Sequence, residues 1–105
     1  MAKAADYIKD VKRYDAGAPE VVVQKIVNHL GIALTNKDAS LVSCSDQTEK
    51  DRVVSSWCEK KLGLSGNTAQ LVDDVCEQMK DDKSNKQRVT FYYLIAMHAG
   101  KLGEL

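Results

Sequence analysis

One proline, one tryptophan, one phenylalanine and three cysteines are all that the 105 residues hold of these types, and 15 Lys plus Arg cancel 15 Asp plus Glu. Each scarcity excludes something. With Pro19 alone and no Gly- or Ser-rich stretch, no segment serves as a linker, so one domain over residues 1–105 is expected. Cys44, Cys58 and Cys76 are odd in number and widely spaced, with no CxxC pair and no nearby His doublet. Neither a disulfide framework nor a zinc site is signalled, and a reducing compartment fits. Charge balances in each half of the chain, which leaves no acidic or basic tail for nucleic acid or a membrane surface. The first residues form no apolar signal region and the longest apolar run, residues 91–97, is far short of a membrane span, so a cytoplasmic location is expected.

What the sequence does have is apolar residues, 44% of the total, recurring at three and four positions, the helical spacing. Tyr7, Ile8, Val11 and Tyr14 make one face of a short first helix that Gly17 ends. Pro19 then stands at a first helical position, and Val22, Val23, Ile26, Val27 and Leu30 form the next apolar face, with Gly31 as its stop. Residues 33–45 are rich in turn formers, and a single helical turn is expected there. Asp46 with Glu49 is a capping-box variant opening a helix whose inner face is Val53, Val54, Trp57, Cys58 and Leu62; Gly63 closes it. Asn67 with Gln70, and Ser84 with Gln87, repeat the opening signal. They start a helix that buries Val72, Val75, Cys76 and Met79, and a last helix from about Asn85 to about Leu102. In that last helix Phe91, Tyr92 and Tyr93 point in three directions, so it is apolar all round and belongs at the centre. The expected fold is all-α, a compact single-domain bundle of about five helices around a buried C-terminal helix. Trp57 and Tyr93 should be buried.

Few residues signal chemistry. Gly63-Leu64-Ser65-Gly66, preceded by Lys60-Lys61, has the GxxG spelling of a KH loop, but that fold needs a sheet and no strand is available; a helix stop followed by a helix cap accounts for the same residues. Read as a helix-turn-helix, the pair of helices would press Asp73, Asp74, Glu77 and Asp81 against phosphates. Those carboxylates are spread too far along one helix face to share one cation, and a solvated face explains them. Cys44, between two serines ahead of a helix, would need a histidine base for nucleophilic work; His29 and His98 are better suited to helix C-termini. Cys58 and Cys76 read as small core residues and Cys44 as the reactive thiol of a polar loop. One local rule is broken. Asp81 and Asp82 end a helix while Lys86 and Arg88 open the next, against both dipoles, so these charges either pair across the turn or present a cationic edge of Lys83, Lys86 and Arg88.

The run Ser84-Asn85-Lys86-Gln87-Arg88-Val89-Thr90-Phe91-Tyr92-Tyr93-Leu94-Ile95-Ala96, with residues 36–42 and 60–64 before it, resembles a family of small bacterial proteins classed as a domain of unknown function (number 2853). The similarity covers the chain from about residue 20 onward. It implies a compact all-helical domain and no activity, and no catalytic or binding residue is carried over from it.

Taken together, these readings describe an uncharacterised bacterial cytoplasmic protein that acts as a non-enzymatic protein-interaction domain, a monomer or weak homodimer. Its partner would be a protein met by Lys83, Lys86 and Arg88. No catalytic residue, metal or cofactor is assigned, and no membrane association. Two alternatives stand beside it: weak nucleic-acid binding through Lys60, Lys61, Lys83, Lys86 and Arg88, and a thiol-dependent enzyme using Cys44.

Overall fold

Eight consecutive residues, 89–96, are at most 5% exposed, and the rest of the chain is arranged around them. This computed structural model describes residues 4–31, 34, 41–64, 66, 68–80 and 86–104. They form α1 (Ile8–Lys12), α2 (Glu20–Leu30), α3 (Gln47–Arg52), which runs on without a break into a π-helical segment (Val53–Lys61), α4 (Thr68–Gln78) and α5 (Arg88–His98). Single 3-10 turns, Ala4–Asp6 and Leu102–Glu104, flank them. The fold is all-α. Among the described residues the nearest approach to a sheet is one isolated antiparallel bridge between Leu41 and Gln87.

The central helix is α5, against which α1, α2, the π segment and α4 all pack. It has no apolar stripe because every direction around it meets another helix. Trp57, Val23, Ile26, Val72, Val75 and Met79 close over it, each of them less than 1% exposed. The N-terminal end is tied down by polar contacts as well. The Ala4 amide donates to Gln24 Oε1 of α2 at 2.9 Å, Thr90 Oγ1 of α5 donates to Asp10 Oδ2 of α1, and the Tyr93 hydroxyl donates to Asp15 Oδ2 at 2.7 Å.

Local chemistry explains the boundaries. Asp46 caps α3 as expected, Oδ1 accepting from the Thr48 amide at 3.0 Å and the Glu49 amide at 3.4 Å. The helix then changes type where Ser56 Oγ donates to the Arg52 carbonyl at 2.6 Å, joined by Ser55 Oγ at 3.3 Å. That carbonyl is the acceptor the Ser56 amide would use in an α-helix; with hydroxyls occupying it, the ladder slips one residue to i→i+5 bonding. The segment ends in the same register, the Leu62 amide donating to the Trp57 carbonyl at 2.9 Å, and Gly63 turns the chain at φ 66°. Periodicity did not reveal this change, because Val53, Trp57, Cys58 and Leu62 remain inward in either form.

Several expected boundaries move. The first helix stops at Lys12, before Gly17. Pro19 is the N-cap of α2 and not its first turn. The last helix begins at Arg88 and not at about residue 85, because Gln87 is extended (ψ 129°) and Lys86 offers its carbonyl to the Val42 amide at 2.8 Å. It ends at His98, since Gly100 adopts φ 70° and the Lys101 amide folds back onto the Ala96 carbonyl at 2.8 Å, a Schellman closure that leaves no path to Leu102. Asn67 and Ser84, expected caps, and most of the turn expected within residues 33–45, lie outside the described residues; residues 41–45 are not helical.

Candidate functional site

Two of the three residues of the expected cationic edge, Lys86 and Arg88, are largely withdrawn from solvent. Lys86 is 7% exposed. The Arg88 side chain is 12% exposed and reaches Glu49, itself 16% exposed, through Nη2; it also donates to the Leu41 carbonyl at 3.3 Å and lies 5.8 Å over the Tyr92 ring. Lys83, Asp81 and Asp82 lie outside the described residues. Arg88 thus finds an anion on α3, far from the turn that the sequence suggested. Lys60 and Lys61 are exposed on the last turn of the π segment, separate from Arg88.

The thiols require a larger correction. Cys44 and Cys76, read as a reactive loop thiol and a core residue, are joined in a disulfide that spans 32 residues with the Cα atoms 5.9 Å apart. Cys44 is therefore no free nucleophile here, which removes the basis of the thiol-enzyme reading. Cys58 alone is free; burial pushes its thiol up to about 11, with Glu59 adding to the effect. Neither histidine meets a cysteine. His29 packs on Trp57 with ring centroids 5.0 Å apart, and desolvation, aided by Lys61, lowers its pKa. His98 Nε2 lies 2.8 Å from Gln78 Oε1.

What the fold does build is a shallow groove of about 470 Å³ between the start of α4 and the end of α5. Leu64, Leu71 and Ala99 supply its apolar wall, and Gln70, Asp74 and His98 its polar rim. Helix periodicity brings them together. Gln70 and Asp74 are one turn apart, and the Gln70 amide donates to Asp74 Oδ1 at 2.9 Å, while His98 is carried to the same place by the last turn of α5. The other acids of α4 are neutralised. Asp73 Oδ1 meets Lys50 Nζ at 3.0 Å, and Glu77 Oε1 meets Lys80 Nζ at 3.1 Å. Asp74 has only the neutral amide, and among the described residues no ion pair offsets its charge. The sequence reading placed these acids on one solvated face and had no means of telling the compensated from the uncompensated, because Lys50 is contributed by a different helix.

Among the described residues no three His, Cys, Asp or Glu side chains converge as a metal site would require. No described helix is long and apolar enough to cross a membrane. The profile of a family described as "Protein of unknown function (DUF2853)" matches residues 6–103. No curated protein matches the chain.

Proposed function

The chain belongs to this DUF2853 family of proteins of unknown function, and we propose that it is a non-enzymatic protein-interaction domain whose groove takes a lysine or arginine side chain presented by an apolar segment of a partner protein. The single observation carrying this reading is the uncompensated carboxylate of Asp74 beside the apolar wall of Leu64, Leu71 and Ala99. Long cationic side chains lay an aliphatic stem on apolar surface and keep the charged end at a polar rim, and the groove offers both parts at once. A phosphate backbone suits it poorly, since Asp74 repels it, and the cations expected to bind one include the sequestered Lys86 and Arg88. Monomer or weak homodimer, each copy carries its own groove. A bacterial cytoplasmic setting remains part of the proposal; a half-buried disulfide there would be open to cycling by cellular thiols.

The test is a titration of 15N-labelled protein with the peptides acetyl-Leu-Lys-Leu-amide and acetyl-Leu-Glu-Leu-amide. The lysine peptide should shift the amides of residues 68–74 and 98–99 with weak affinity that falls as salt rises, and Asp74→Asn should weaken it about fivefold, the effect of losing roughly 1 kcal/mol of rim electrostatics. Equal shifts from the glutamate peptide, or shifts unaffected by Asp74→Asn, would show that the groove does not select cations.

A further inference from the structure

The disulfide between Cys44 and Cys76 differs from a structural staple in what surrounds its two ends. Both cysteines are half-buried at the margin of the core, whereas Cys58 is fully buried. Each end is also held in place by something other than sulfur. On the Cys44 side, Val42 is 1% exposed and its amide donates to the Lys86 carbonyl at 2.8 Å, Arg88 donates to the Leu41 carbonyl, and Asp46 caps α3 two residues beyond the cysteine. On the Cys76 side, α4 is anchored by Val72, Val75 and Met79, all fully buried. With the bond opened, both backbones keep their anchors, which hold the Cα separation near the 5.9 Å of the closed bond, inside the range of about 4.4–6.8 Å that a disulfide needs. The two thiols therefore remain facing each other, poised to close again.

From this arrangement we propose that Cys44 and Cys76 are a reversible dithiol–disulfide couple that exchanges with low-molecular-weight thiols and disulfides, clasping the segment 43–46 to α4 when oxidised and loosening it, with its anchors on either side kept, when reduced. Cys44, flanked by the exposed Ser43 and Ser45, is the entry thiol. Its thiolate attacks one sulfur of a small disulfide RSSR, forming a Cys44–S–S–R bond and expelling RS⁻. The Cys76 thiolate then attacks the Cys44 sulfur, forming the internal bond and expelling the second RS⁻. One RSSR is reduced by two electrons to two RSH, the two protein thiols are oxidised, and their two protons pass to the departing thiolates. Reduction by two equivalents of RSH is the reverse. Cys58 stays out of the exchange because it is enclosed by the core and little of it is thiolate at neutral pH. The inference is independent of the groove, since none of its readouts involves a partner.

The experiment equilibrates the full chain, under argon, in glutathione buffers of stepped thiol-to-disulfide ratio, then quenches with acid, alkylates and weighs the peptides. Reduced protein should keep its near-ultraviolet circular dichroism, and Cys44 and Cys76 should gain and lose label together in one two-electron transition. Cys58 should be labelled only in denaturant, and Cys58→Ser should leave the transition where it is. In Cys76→Ser the mixed glutathione adduct on Cys44 should persist instead of resolving. Hydrogen exchange should quicken at residues 43–46 on reduction and stay unchanged in α5. Loss of the tertiary signal on reduction, or failure of Cys44→Ser/Cys76→Ser to fold, would make the bond a structural staple. Stable glutathionylation of the wild-type chain without closure would equally overturn the couple.

Discussion

Glu49 and Arg88, 39 residues apart in sequence, meet in an ion pair that is mostly withdrawn from water, with side chains 16% and 12% exposed. The pair joins the first turn of α3 to the first turn of α5, where a cation is poorly placed with respect to the helix dipole. The carboxylate brought from α3 offsets that misplacement. Arg88 also donates to the Leu41 carbonyl, so it links α5, α3 and the segment before α3 through one side chain.

Removing one member of this pair leaves the other charged and largely desolvated. Glu49→Gln and Arg88→Met should each lower stability by about 3 kcal/mol, the low end for a broken buried pair, and the double variant should cost clearly less than the two losses added. Urea unfolding of all four proteins gives the cycle. Losses below about 1 kcal/mol with no coupling would place the pair in the surface class.

How much of this was legible in the sequence differs with the range of the interaction. The apolar faces of α2, α4 and α5 and the Asp46 cap depend on residues within two helical turns, so spacing alone exposed them. The Arg88–Glu49 pair and the Cys44–Cys76 bond depend on where α3 and its preceding segment are packed, and an odd cysteine count argued against any bridge. The start of α5 was misplaced for a related reason. Lys86 and Gln87 are drawn into contact with residues 41–42, and local capping signals carry no trace of a partner so far upstream. Asp74 was recognised as acidic and exposed, but its lack of a counter-ion is a tertiary fact.

Trp57 offers the largest single core perturbation. It is fully buried, its Nε1 donates to the Tyr92 carbonyl at 3.0 Å, and its ring lies 4.7 Å from that of Tyr92. Trp57→Ala should destabilise by about 3–5 kcal/mol, and Trp57→Phe should lose less because it retains most of the packing. Thermal unfolding followed by circular dichroism checks both. A negligible change in Trp57→Ala would contradict the packing described for the π segment against α5.

The disulfide should contribute through the unfolded chain. Closing a loop with a sequence separation of 32 residues removes denatured-state entropy corresponding to about 3–4 kcal/mol at 25 °C. Unfolding the oxidised and the dithiothreitol-reduced protein in the same urea series should reveal a difference of that order at most, with the reduced form still folded without denaturant. An identical midpoint for the two forms would show that the bond restrains the native and unfolded chains equally.

Tyr93 combines complete burial with a hydroxyl that donates to Asp15 Oδ2 at 2.7 Å. Burial, and the hydrogen bond and charge of Asp15, all raise its pKa, so the phenol should not ionise in the folded state at pH values where free tyrosine does, about pH 10. Tyr93→Phe keeps the ring and removes the donor; it should cost about 1.5–3 kcal/mol, as for a hydrogen bond to a charged acceptor. Absorbance at 295 nm against pH should lose its latest-titrating tyrosine in this variant. An unchanged titration would mean that Tyr93 reaches solvent.

His29 supplies a pH dependence whose sign is fixed by its surroundings. Its ring packs against Trp57, and desolvation together with Lys61 places its folded-state pKa below the ordinary 6.5. Below pH 6.5 the unfolded chain therefore binds the proton more readily than the folded one, so stability from this group is complete above that pH and declines as pH falls through the interval down to the folded pKa. The imidazole edge reaches solvent, so the loss should be small. Charging the ring beside the indole should quench Trp57 fluorescence, giving a titration with a midpoint under 6.5 that His29→Gln abolishes. A midpoint at or above 6.5 would mean that a carboxylate, and not the indole and Lys61, governs the imidazole.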